Sequence, residues 1–131
     1  MKLSIIILAA GQGTRMNSLR PKVLHPLGGR PLLAHVLDTA RSLQAIDIHV
    51  VIGHGADMVR DQLPEQDIHW VLQDQQLGTG HAVAQAMPGV PDDHTVLVMY
   101  GDVPLISRDT LEPLCLMAAE GMAALLTAEL D

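Results

Sequence analysis

Short apolar runs recur along this 131-residue chain with room for one helix between each neighbouring pair. Residues 3–8, 48–52, 68–72, 96–100 and 123–130 read as strands, and most are continuous rather than alternating. Continuous apolar runs mark strands covered on both faces. Helical patterns lie between them. Leu32, Leu33, Val36, Leu37, Ala40 and Leu43 fall on one helix face, with Pro31 suited to the first turn. Residues 56–63 form a shorter candidate. Thr79 is placed to cap a helix whose apolar face is Ala82, Val83, Ala86 and Met87. A fourth helix is expected over about 110–120, with Leu111, Leu114, Cys115 and Ala118 inward and its start blurred by Pro113. Strands alternating with helices imply right-handed βαβ units. The expected fold class is α/β, a three-layer Rossmann-like arrangement around a mostly parallel sheet.

The core must be aliphatic, because the chain has no Phe, one Trp and one Tyr although 48% of it is hydrophobic. Met16, Met58, Met87, Met99 and Met117 read as filler of that core. A lone Cys115 excludes an intrachain disulfide and fits a reducing, cytoplasmic setting. No apolar run approaches the ~20 residues of a membrane span. Met1-Lys2 ahead of residues 3–10 reads as the approach to a first strand. A signal peptide would carry a more basic start and a longer apolar run.

A net charge of −7 argues against general nucleic-acid binding. Its distribution is more informative. Residues 1–37 hold Lys2, Arg15, Arg20, Lys22 and Arg30 and no acid; the first carboxylate is Asp38. These cations alternate with glycines and prolines instead of lining a helix, so a local anion site is expected rather than a solvated basic face.

In parallel α/β sheets, ligands bind beyond the carboxyl ends of the strands. The candidate motifs all follow strands. The first is Leu8-Ala9-Ala10-Gly11-Gln12-Gly13-Thr14-Arg15-Met16, with Pro21-Lys22 after it. Glycines let backbone amides approach phosphate oxygens, and Arg15 and Lys22 balance their charge. The turn lacks the third glycine of a dinucleotide fingerprint and the G-K-[ST] of a P-loop, so alone it is equally a tight turn. Prolines 21 and 26 stiffen the segment that carries Lys22.

Asp102 follows Gly101 at the end of the fourth run. A carboxylate there is either a Mg²⁺ ligand in phosphate chemistry or a turn- or helix-capping aspartate. Gln73 to Gly80 is the third motif. The Gln73 amide offers a donor and an acceptor, enough for a pyrimidine edge, and Gly78 and Gly80 permit close backbone approach. Alone it is an ordinary loop between strand and helix. The seven histidines show no metal-binding spacing. His35 and His81 read as helix-surface or satisfied core residues, and His54 as a turn residue.

In order, L-A-A-G-x-G-T-R-M, P-K-V-L-H, V-I-G-H-G, V-L-Q-x-x-Q-L-G-T-G-H-A and Y-G-D-V-P-L resemble the sugar-1-phosphate nucleotidyltransferase family. The resemblance covers essentially the whole chain. It is strongest to the N-terminal uridylyltransferase domains of bacterial bifunctional pyrophosphorylase–acetyltransferases. The opening motif is shared by cytidylyl-, guanylyl- and uridylyltransferases; the last two segments are more specific.

The resemblance implies a residue-by-residue assignment. The backbone of Leu8, Ala9, Ala10 and Gly11 would cradle the nucleotide, while Gln73 and the Gly78 backbone would read uracil. Thr79, Tyr100 and Gly101 would line the nucleotide-sugar site. Asp102 would ligate Mg²⁺, and Arg15 and Lys22 would neutralise phosphates. The implied reaction joins UTP and N-acetylglucosamine 1-phosphate into UDP-N-acetylglucosamine and pyrophosphate, for cell-envelope precursors. No nucleic-acid or membrane partner is implied.

In that family most sugar contacts and an asparagine of the metal shell lie beyond residue 131. So does the left-handed β-helix that carries acetyl transfer and trimerisation. Residues 1–131 are therefore expected to be the nucleotide-binding part of an incomplete domain. Acetyl transfer is not expected, uridylyl transfer is expected to be slight or absent, UTP binding is expected to be weak, and the oligomeric state is open. The alternatives are a cytidylyl- or guanylyltransferase, or a non-catalytic nucleotide-binding module.

Overall fold

A computed structural model describes residues 2–10, 22–53, 56–63, 67–73, 78–91 and 93–101. Four strands form one parallel sheet: β1 (Leu3–Leu8), β4 (Asp47–Ile52), β5 (Ile68–Leu72) and β6 (Thr95–Tyr100), in the order β5-β4-β1-β6. The four runs within the described residues are thus strands, two of them extended by one residue at the start. The strand expected at 123–130 and the helix at about 110–120 lie outside the described residues.

Alternation along each strand divides the core in two. Leu3, Ile5 and Ile7 of β1, Ile48, Val50 and Ile52 of β4 and Leu97 and Met99 of β6 pack on one face. Against them lie α1 (Leu32–Ser42), through Leu33, Val36, Leu37 and Ala40, and α2 (Ala56–Gln62), through Val59. Ile6 and Val51 point the other way, onto Ala82 and Ala86 of α3 (Thr79–Ala86). The sheet is therefore sandwiched, and continuous apolar runs are its sequence signature. Ile5, Ile6 and Ile7 are all fully buried, and each contributes about 1.5–3 kcal/mol by leaving water. The described core is aliphatic, with Trp70 packed at its margin.

Several expectations are corrected. Pro31 is not inside the first turn of α1; it precedes it as the N-cap, with φ −56° and ψ 148°. It also ends a small hairpin, β2 (Pro26–Leu27) with β3 (Arg30–Pro31), which the sequence reading had not anticipated. Thr79 does not cap α3 either, being its first residue, while Gly78 holds the cap position at φ 101°. Met87 and Met58 are exposed rather than core filler, whereas Met99 is buried. Met16 and Met117 lie outside the described residues.

The strand order has one reversal. The chain leaves β1, builds outward through β4 to β5, then crosses by α3 to pair β6 with the other side of β1. At such a reversal the connections on either side of two neighbouring strands diverge, leaving a crevice at their carboxyl ends. That point lies between β1 and β6.

Candidate nucleotide site

β1 and β6 run in register to their last residues, Leu8 opposite Tyr100. One residue on, the Gly101 amide donates to the Leu8 carbonyl at 2.9 Å. On the other side of β1, the Ala9 amide donates to the Val51 carbonyl at 2.8 Å. The backbone entering Ala10 is thus held from both sides, and Ala9 and Ala10 are buried.

A third segment closes on this point. A 3-10 turn, Lys22–Leu24, packs Val23 so that a Cβ added to Gly101 would lie 3.2 Å from Val23 Cγ1. The same imaginary atom would lie 3.2 Å from the Leu8 carbonyl oxygen and 3.3 Å from the Ala9 Cβ. Such contacts are tighter than ordinary packing, so glycine is what lets β6 end against β1 here. Leu8–Ala9, the residue after Lys22 and the residue before Asp102 therefore meet at the reversal of strand order. Gly11, Arg15 and Asp102, expected at this site, lie outside the described residues, as does His54.

Gln73 stands at the far side of the row, directly after β5. Its amide nitrogen donates to the Ile52 carbonyl at 2.7 Å, which extends the β4–β5 ladder by one bond. Its side chain is buried, and Nε2 lies 2.8 Å from His81 Nδ1 and 3.5 Å from the Gly78 carbonyl oxygen. Three strand spacings separate β5 from β6, roughly 14 Å. Gln73 and Gly101 accordingly cannot touch one small group; a ligand meeting both lies extended along the sheet's edge.

Two of the five N-terminal cations are not available to an anion there. Lys2 precedes β1 at the opposite edge and pairs with Asp93 at 2.8 Å. Arg30 pairs with Asp38 in the middle of α1, on its exposed side. Lys2 and Arg30, two cations of the acid-free stretch 1–37, are thus tied into ion pairs, and the local anion site expected there rests on Arg15 and Lys22. The carboxyl group of Asp38 is held below its ordinary value by the Arg30 hydrogen bond.

The opposite edge gathers polar residues that the sequence reading passed over. Ser4 pairs in register with Asp47, and its hydroxyl lies 2.7 Å from His94 Nδ1. His49 Nε2 donates to Asp47 Oδ1 at 3.0 Å, and the His49 and His69 rings stack 5.0 Å apart. Residues 90 positions apart meet only through strand pairing, so no local spacing could have announced the group. Ser4 and the Asp47 carboxylate both approach His94 through the same nitrogen, at 2.7 and 3.9 Å. A nucleophile–base–acid relay needs opposite ring nitrogens, so this cluster is structural. Among the described residues no three His, Cys, Asp or Glu side chains gather so as to hold a metal ion. Among them, too, no helix is long and apolar enough to cross a membrane.

Residues 5–130 match the MobA-like NTP transferase domain. The chain is 59% identical over 129 residues to the Bifunctional protein GlmU of Marinobacter nauticus, covering 98% of this chain and 28% of that protein. Among solved structures, Rv0371c of Mycobacterium tuberculosis superposes with a TM-score of 0.81 at 25% identity, over 91% of this chain and 61% of that one. Its complex with manganese superposes at 0.78 and 23% identity, over 92% and 61% of the two chains.

Proposed function

The chain belongs to the MobA-like NTP transferase domain family, and from that premise we propose that it is the nucleotide-binding part of a uridylyltransferase. Its substrates are UTP and N-acetylglucosamine 1-phosphate, and its products are UDP-N-acetylglucosamine and pyrophosphate. The chain spans 28% of the length of its Marinobacter relative, so the activity is that of the longer protein in which such a chain works. The observation that carries the reading is the convergence of Leu8–Ala9, Val23 and Gly101 at the reversal of strand order. The segments that bear Gly11 and Arg15, Lys22, and Asp102 adjoin those residues in the chain.

In this reading the amides from Leu8 to Gly11 receive the triphosphate, and Arg15 and Lys22 offset its charge. Gln73 and the Gly78 backbone meet the uracil at the other end, and Thr79, Tyr100 and Gly101 line the space for the nucleotide sugar. A phosphate oxygen of the sugar phosphate attacks the α-phosphorus of UTP. The new P–O bond forms as the α–β bridge breaks, and pyrophosphate leaves with the electron pair. No side-chain nucleophile takes part. Positioning in line and charge stabilisation supply the rate.

The described residues alone offer no complete cation site. A Mg²⁺ engaged with phosphates needs only one or two carboxylates, and Asp102, next after Gly101, is the candidate. When bound, the ion would stabilise the charge that builds on the phosphate oxygens.

The test places these 131 residues in the Marinobacter relative in exchange for its matching segment and measures pyrophosphate release. Turnover with UTP and N-acetylglucosamine 1-phosphate is expected, with a loss of orders of magnitude for Asp102→Asn. Turnover with CTP or GTP in place of UTP would assign the chain to another nucleotidyltransferase. No turnover with any of them would leave a binding module.

A further inference from the structure

His81 is the third residue of α3, and on the sequence alone it is a helix-surface or satisfied core histidine. Its surroundings fix its proton. Gln73 Nε2 approaches two atoms, the Gly78 carbonyl oxygen at 3.5 Å and His81 Nδ1 at 2.8 Å. A carbonyl only accepts, so the Gln73 atom facing it is the NH₂ group, and His81 Nδ1 must accept as well. The His81 proton then resides on Nε2. That nitrogen lies 3.2 Å from Gln85 Nε2; two donors cannot face one another, so the exposed Gln85 amide turns over to offer its oxygen to the Nε2 proton.

The consequence falls on Gln73. With its NH₂ group turned to His81 and Gly78, the atom left for a ligand is Oε1, which has no hydrogen-bond partner among the described residues. Uracil presents an N3–H donor between two carbonyls; cytosine presents a bare N3 acceptor beside an amino group. A fixed acceptor at Gln73 suits the first and opposes the second. A freely rotating amide would satisfy either.

We propose that His81, held as the Nε2–H tautomer between Gln73 and Gln85, is the positioning residue that makes Gln73 an acceptor and so selects uracil over cytosine. This rests on the reading of Gln73 as the residue that meets the base. Gln85 has a lesser part, since it holds the tautomer from outside.

Two measurements on the 131-residue chain test it. Long-range proton–nitrogen NMR of the imidazole reports which ring nitrogen carries the proton. Nε2–H is expected, and a proton on Nδ1 would overturn the proposal whatever the chain binds. Calorimetry then compares MgUTP with MgCTP for the wild type, Gln73→Ala, His81→Ala and His81→Asn. His81→Ala should lower the preference for UTP by about tenfold, the size of one neutral hydrogen bond. His81→Asn, whose side-chain oxygen can accept from Gln73, should restore most of it. A wild-type preference that Gln73→Ala abolishes and His81→Ala leaves intact would overturn the role of His81 alone. A wild type with no preference for UTP would overturn the uridylyl reading, and the selection role with it.

Discussion

The Gly101 amide and the Leu8 carbonyl, 93 positions apart, share a 2.9 Å hydrogen bond at the carboxyl edge of the sheet. It joins the end of the first strand to the end of the last described one. The residues that follow each of them, toward Gly11 and to Asp102, therefore start from a common point.

That junction has no room for a larger residue at 101. Gly101→Ala would place a methyl group against the Leu8 oxygen, Val23 and Ala9. Overpacking of this kind costs about 1–3 kcal/mol. Urea denaturation should show the loss, and MgUTP affinity should fall with it because the Ala9 backbone must shift. An Ala variant as stable as the wild type would mean that the junction is loose.

Gly78 answers a different constraint. It holds φ 101° at the cap of α3, with nothing within 4 Å of an added Cβ. Gly78→Ala therefore meets backbone strain without a clash, and a loss of about 1 kcal/mol or somewhat more is expected. Thermal unfolding would register it as a lower midpoint.

Ser4 tests the independence of the two sheet edges. It is fully buried and bonded to His94, so Ser4→Ala should lower stability by about 1 kcal/mol. Leu8 is four residues further along β1, roughly 13 Å away. Nucleotide affinity should accordingly stay unchanged in the same variant.

Acid should weaken one tertiary tie. Arg41 at the end of α1 grips Asp67, before β5, through two hydrogen bonds of 2.9 and 3.0 Å. The Arg41 hydrogen bond holds the Asp67 carboxyl below its ordinary value. A depressed carboxyl stabilises the fold fully above the unfolded value, about 3.9, and ceases to as pH falls through the folded one. Water screens this exposed pair, so Asp67→Asn should cost up to about 1 kcal/mol at neutral pH. The gap between variant and wild type should close in acid; a gap that stays constant with pH would exclude an electrostatic origin.

How far the sequence spoke depended on the range over which each feature is set. Leu3–Leu8 and Ile68–Leu72 were legible to the residue, because runs that are mostly apolar, broken only by Ser4 and His69, end abruptly at Lys2, Ala9, Asp67 and Gln73. The register of Leu33, Val36, Leu37 and Ala40 was legible from their helical spacing of three and four residues. The hairpin at Pro26–Pro31 was not, since two-residue strands have no period to detect. Nor were the Lys2–Asp93 pair and the Ser4–His94 contact, which exist only after β1 and β6 align. At the candidate site, Gln73 and Gly101 could be named from their place after strands. The closeness of Val23 to Gly101, and the hydrogen bonds that set the His81 proton, could not.

The most direct test of the account is amide chemical-shift mapping of the ¹⁵N-labelled chain during titration with MgUTP. Perturbations are predicted at Leu8–Ala10, Val23, Gln73, Gly78 and Gly101, along one edge of the sheet, with Ser4, His49 and His94 unmoved. Shifts centred on the Ser4–His94 edge, or none at saturating nucleotide, would contradict it.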